Sequence, residues 1–98
     1  MSFSVKDQRV TVAGAARSGL AAAELLARRG AHVTLSAGRA ELPEGEQLRN
    51  LGVTLELGGH VRETFTGADL VVLSPGVPPE LAVVQAARDR GVPVIAEI

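Results

Sequence analysis

The sequence contains no cysteine, tryptophan or tyrosine, and its aromatic residues are Phe3 and Phe65. Without cysteine there is no disulfide and no thiolate metal site, a usage that fits a reducing compartment and gives cytoplasmic as the expected location. Without aromatic platforms there is little for single-stranded bases to stack on. Positive charge is not in excess either. Ten Lys and Arg against eleven Asp and Glu leave a net charge of -1, which removes the electrostatic case for nucleic acid or an anionic membrane. No run approaches the ~18 apolar residues of a membrane-spanning helix, and the opening "MSFSVKDQRV" lacks the apolar centre of a signal peptide. Neither nucleic acid nor a membrane span is expected.

What is present suits one packed domain: 98 residues, 46% of them hydrophobic. Arg9–Ala13 ("RVTVA") is short and β-branched and predicts a first strand, which Gly14 stops. Ser18 is the expected N-cap of the helix that follows. Gly19, Ala22, Ala23 and Leu26 recur at i, i+3, i+4 and i+7, one small-residue face that can lie close against a sheet. Arg28 and Arg29 suit the negative end of that helix, and Gly30 its left-handed cap.

The pattern repeats. "AHVTLS" (31–36) predicts a second strand, "EGEQLRNLG" a short helix ended by Gly52, and "VTLEL" (53–57) a third strand. Leu70–Leu73 are four consecutive apolar residues, as in a strand buried on both faces. Pro79 is placed to open another helix, with Leu81, Val83, Val84 and Ala87 on its apolar side. Gly91 closes it, and "VPVIA" (92–96) predicts a fifth strand. Strands alternating with helices imply an α/β fold, a Rossmann-like doubly wound parallel five-stranded sheet in the order 3-2-1-4-5. Ligands of such sheets sit beyond the carboxyl ends of the strands where the winding reverses, here between strands one and four. The loops at that edge are Gly14–Ser18, Ser36–Arg39 and Ser74–Val77. The chain stops at "AEI", just past the fifth strand, so we expect one domain over 1–98 that is a piece of something longer.

The first loop, "GAARSG", places backbone N–H groups and a helix N-terminus where an anion can bind. It departs from the dinucleotide fingerprint, because Ala16 stands where the middle glycine lets backbone approach a pyrophosphate. The acidic residue that grips a ribose is also missing, since strand two ends in Ser36-Ala37-Gly38-Arg39. Arg39 keeps an NADP-binding Rossmann module as the alternative, an arginine there being able to hold a 2′-phosphate. In Ser74-Pro75-Gly76-Val77-Pro78-Pro79, the prolines stiffen the crossover, and Gly76 lets backbone come close to a flat ring or a phosphate.

The remaining polar residues read as bland. His32 and His60 are expected to face solvent, Asp69 to accept within a local turn, and Glu41, Glu44 and Glu46 to form an exposed acidic stretch. No Ser/His/Asp set, metal-ligand spacing or GxxxxGK[ST] phosphate loop is read in the sequence. The expected role is binding, with no catalytic residue and no metal or cofactor site in this domain.

"GAARSGLAAAELLARRGAHVTLS", "GADLVVLSPGVPP" and "QAARDRGVPVIAEI" together resemble the N-terminal domain of the D-glutamate-adding Mur ligases of bacterial peptidoglycan synthesis. The resemblance runs from about Val10 to Ile98, with "LSPGVPP" and "GVPVIAEI" its most specific parts. It implies the first of three domains, a non-catalytic one that anchors the UDP end of UDP-N-acetylmuramoyl-L-alanine. Central and C-terminal domains of the same enzyme then use ATP and Mg²⁺ to activate the substrate carboxylate for attack by D-glutamate. By position it implies UDP contacts from Gly14, Ala16, Arg17 and Ser18 in the first loop, Arg39 in the second and Gly76 in the third. Family members usually carry an aspartate at the position of Ala37, followed by a residue facing the base; here those two positions are Ala37 and Gly38. On the resemblance alone, Ala37→Asp is expected to tighten UDP binding.

Overall fold

The computed structural model describes residues 4–96. Its strands are β1 (Arg9–Ala13), β2 (His32–Ala37), β3 (Thr54–Leu57), β4 (Leu70–Leu73) and β5 (Val94–Ala96). They form one sheet in the order β3-β2-β1-β4-β5, every pairing parallel. The crossovers carry α1 (Arg17–Arg28), α2 (Gly45–Asn50), α3 (Arg62–Thr66) and α4 (Ala82–Asp89). Fold class and strand order are as the alternation of elements predicts.

Register sorts the side chains between two faces. Val10 pairs with Val33 and Leu70, and Val12 with Leu35 and Val72, so these apolar residues line up on one side. There they pack with Ala23 of α1 and Leu48 of α2. Ala13, Val71 and Leu73 face the other side, against Phe65 of α3 and Val84 and Ala87 of α4. Both faces of β1 and β4 are thus covered, which is why these strands read as nearly continuous apolar runs. Removing a side chain such as Val12, Leu35 or Phe65 from water, each fully buried, contributes roughly 1.5–3 kcal/mol.

The face read for α1 is the buried one: Gly19 and Ala23 are fully covered, Ala22 and Leu26 partly. Its start differs. Ala16 is the N-cap, with extended backbone (φ -67°, ψ 164°), and its carbonyl accepts the Leu20 N–H at 2.9 Å. Ser18 is therefore the second helical residue and caps nothing. In α4, Val84 and Ala87 are buried and Leu81 and Val83 partly so, as expected. Pro79 precedes the helix without opening it. A turn closed by the Leu81 N–H on the Pro78 carbonyl (3.1 Å) leads in, and Leu81 is the N-cap. β5 is shorter than "VPVIA" because Pro93 has no N–H to give, although its carbonyl accepts the Val71 N–H at 2.9 Å. Glu97 and Ile98 of the "AEI" ending lie outside the described residues.

Candidate functional site

Three loops leave the carboxyl edge of the sheet, and main-chain hydrogen bonds order them. The Gly14 N–H reaches the Ser36 carbonyl at 2.8 Å, joining the ends of β1 and β2. The Ser74 N–H reaches the Ala13 carbonyl at 2.9 Å, joining β4 to β1, and its hydroxyl donates to the Gly14 carbonyl at 3.1 Å. Glycine is required where these loops meet. Gly14 has φ +96°, and a Cβ on it would lie 2.7 Å from Val77 Cγ2 and 3.0 Å from Ser74 Cβ. A Cβ on Gly19 would overlap Ser74 Oγ and stand 2.6 Å from the Gly14 carbonyl oxygen. The first and third loops are pressed together at the point where the winding reverses.

Beside them lies the N-terminus of α1. It has no side-chain cap and no acidic residue in its first turn. Its first N–H groups carry the positive end of the helix dipole, next to the exposed Ala16 and Arg17 and the half-buried Ser18. Gly76, across the switch point, is exposed at φ +93° and faces open space, with no atom within 4 Å of where a Cβ would sit. Arg39 lies just beyond the end of β2, one strand further out. Its carbonyl accepts the Gly58 N–H at 2.8 Å, and among the described residues its exposed guanidinium makes no ion pair. Gly14, Ala16, Arg17, Ser18 and Gly76 thus share one edge around β1 and β4, with Arg39 at its β2 flank. The arrangement offers N–H donors and two arginines to an anion, and bare glycine backbone to a flat group.

Ala37 sits differently from what its loop position suggests. It is the last residue of β2, only 2% exposed, and its carbonyl is met by the Gly59 N–H at 3.4 Å. Gly38 beyond it is exposed, with nothing within 4 Å of where a Cβ would lie.

The structure also assembles a cluster that the sequence reading lacks. Ser36 and Glu56 are register partners on β2 and β3, so their side chains share a face. The Ser36 hydroxyl lies 2.5 Å from Glu56 Oε2 and 2.7 Å from His60 Nδ1. Glu56 also accepts the Val61 N–H on Oε2 (3.1 Å) and the Thr64 hydroxyl on Oε1 (2.5 Å). A serine hydroxyl has one proton; given to the carboxylate, it leaves Nδ1–H of His60 as the donor to Ser36 Oγ. The His60 ring stands edge-on to Phe65, centroids 5.7 Å apart, which fixes its orientation. His60 is half-buried, whereas His32 is exposed, its Nε2 3.9 Å from Asp7 Oδ1. Ser36, His60 and Glu56 do come together, against expectation, but the order is wrong for a nucleophile relay. Such a relay puts histidine between serine and carboxylate. Here serine is in the middle and fully buried.

Partial burial pushes the Glu56 carboxyl up, but the hydrogen bonds from Ser36, Thr64 and Val61 and the neighbouring His60 outweigh it, and the net shift is downward. Asp69 is corrected too: it accepts the Arg9 N–H at 2.8 Å across 60 residues of sequence, tying the starts of β1 and β4 together and not a local turn. Glu41, Glu44 and Glu46 are exposed, as read. A groove of about 340 Å³ lies toward the other end of the sheet, lined by Arg9, Thr11, Thr34, Thr54 and Glu63. It includes none of the loop residues singled out above.

The family model described as "Mur ligase MurD-like, N-terminal domain" matches residues 8–96. The UDP-N-acetylmuramoylalanine--D-glutamate ligase of Anaeromyxobacter dehalogenans is 55% identical over 96 residues, which are 96% of this chain and 21% of that protein. The ligase of the same name from Desulfosudis oleivorans is 46% identical over 96 residues, covering 95% of this chain and 21% of the relative. The chain thus spans about a fifth of the length of these relatives. Among solved structures, a pseudomurein peptide ligase type C from Methanothermus fervidus superposes with a TM-score of 0.79 at 22% identity, over 91% of this chain and 19% of that one. That likeness is one of fold. With the family model covering nearly every residue and relatives far above chance identity, the chain belongs to the Mur ligase MurD-like N-terminal domain family.

Proposed function

We propose that this domain anchors the uridine diphosphate end of UDP-N-acetylmuramoyl-L-alanine for ATP-dependent addition of D-glutamate in a longer ligase. The observation that carries the reading is the uncapped N-terminus of α1 at the switch point of a chain in this family. A diphosphate there meets unpaired N–H groups, the helix dipole and the Arg17 side chain. Gly14 and Gly76 keep the approach free of side chains, Ala16 and Ser18 line the turn, and Arg39 stands at the β2 flank. Ala16 need not be glycine, because a single nucleotide, not a dinucleotide, lies across the turn.

In this reading the work of these residues is binding and orientation. ATP and Mg²⁺, implied for the whole ligase, do not fit the residues present: the sequence has no GxxxxGK[ST] loop, and among the described residues no three His, Asp or Glu cluster. They would be held by the central and C-terminal domains, which are this domain's other partners, in a cytoplasmic enzyme.

Calorimetry of the chain with UDP-N-acetylmuramoyl-L-alanine, UDP and NADP tests the proposal. The precursor is expected to bind, UDP more weakly and NADP not at all. NADP binding that depends on Arg39, without UDP binding, would establish the dehydrogenase-type module instead.

A further inference from the structure

We infer that Glu56 is a positioning residue for base recognition: through Ser36 and the Gly58–Gly59 turn it holds the end of β2 so that main-chain groups, not side chains, read the uracil. The inference rests on the uridine nucleotide reading above and deepens it.

The need for a main-chain reader comes from Ala37 and Gly38. The methyl of Ala37 is turned into the fold and Gly38 has no side chain, so at the end of β2 only backbone is available to a base. Uracil presents an N3–H donor between two carbonyl acceptors, a pattern that backbone can match; with the Ala37 and Arg39 carbonyls engaged by the following turn, the N–H and C=O of Gly38 are the groups left to do so. Backbone discriminates bases only if it is held close to the right place, since small displacements forfeit a hydrogen bond.

That holding is visible. The Gly58 N–H donates to the Arg39 carbonyl at 2.8 Å, and the Gly59 N–H to the Ala37 carbonyl at 3.4 Å, so the turn after β3 grips the strand end on both sides of Gly38. Both glycines have positive φ, +81° and +153°, backbone that other residues rarely adopt. Glu56 secures this turn at its far side by accepting the Val61 N–H and the Thr64 hydroxyl. It secures β2 itself by accepting from Ser36, the residue before Ala37, whose oxygen His60 also engages. One carboxylate thus ties the gripping turn to the strand that it grips. A cap for α3 alone would need only the Val61 and Thr64 bonds; the bond to Ser36 is the one that points to the nucleotide edge.

The test is the ratio of UDP to CDP affinity, because cytosine reverses the donor and acceptor at positions 3 and 4, with inorganic pyrophosphate as a probe without a base. In the wild-type chain UDP is expected to bind more tightly than CDP. Glu56→Gln is expected to lower that preference by about fivefold or more, the worth of one well-aligned hydrogen bond, and to leave pyrophosphate binding within about twofold. Ser36→Ala, which deletes only a hydroxyl, is expected to lower it in the same direction and serves if Glu56→Gln does not fold. Thr64→Val removes one of the two bonds on the α3 side of the network, leaving the bond to Ser36, and is expected to lower the melting temperature while keeping the preference. A folded Glu56→Gln or Ser36→Ala chain with the wild-type preference overturns the inference and leaves the nucleotide reading intact. Equal loss of preference in Thr64→Val overturns it as well, since general loosening would then explain the effect. A wild-type chain that ignores UDP overturns both readings.

Discussion

The Ser74 hydroxyl donates to the Gly14 carbonyl oxygen at 3.1 Å, across 60 residues of sequence. This bond, with the glycine contacts around it, packs the loops that follow β1 and β4 into one unit.

Gly19 is where that unit leaves no room. In an ordinary helix interior Gly→Ala gains up to ~1 kcal/mol. Here the added methyl would strike Ser74 Oγ and the Gly14 carbonyl oxygen. Gly19→Ala is therefore expected to destabilise the domain by about 1–3 kcal/mol in urea unfolding. Ser74→Ala alone should cost about 1 kcal/mol through the lost hydrogen bond. Because it also removes the oxygen that the new methyl meets, the double variant should be less damaged than the two single costs predict. Strict additivity would contradict the packing described.

Acid sensitivity should trace to Glu56. Its carboxyl titrates lower in the folded chain than its ordinary value of 4.5, so the unfolded chain takes up its proton first as pH falls. Its contribution to stability is complete above that ordinary value and is lost as pH falls through the lowered folded value. Melting temperatures measured from pH 7 to pH 3 should fall on the acid side, and Glu56→Gln should flatten that limb while costing stability at pH 7. An unchanged acid limb in the variant would place the sensitivity elsewhere.

At position 37 the structure changes the expectation. On resemblance alone an aspartate there should help UDP, but Ala37 is buried and its carbonyl is already engaged. Ala37→Asp must bury a carboxylate, and is expected to cost at least about 2 kcal/mol of stability without tightening UDP binding. Tighter binding measured by calorimetry would show that a side chain at this position reaches the base.

Much of this architecture is legible in the sequence because parallel strands buried on both faces are short and apolar, as Leu70–Leu73 are, or short and β-branched, as in Arg9–Ala13. The small-residue face of α1 is equally plain, since sheet contact selects Gly19 and Ala23. α3 is not, because five residues are too few to display a period and its anchor is a single phenylalanine, Phe65. The start of α1 is displaced because backbone extension at Ala16, not a capping side chain, sets it. The Ser36–Glu56–His60 cluster spans 20 and 24 residues and becomes adjacent only through the parallel register of β2 and β3. No local motif announces it. The nearest signal is a polar residue near the end of each of two neighbouring strands, Ser36 and Glu56, both on the same face by period two.

The central claim is that a uridine diphosphate lies across the switch point between β1 and β4. Amide chemical-shift mapping of the chain titrated with UDP-N-acetylmuramoyl-L-alanine tests it most directly. The account predicts the largest shifts at Gly14–Gly19 and Gly76, smaller ones at Gly38 and Arg39, and none around Thr34 and Thr54 at the far groove. Shifts centred on that groove, or shifts at the glycine turn with NADP but not with the muramoyl nucleotide, would contradict it.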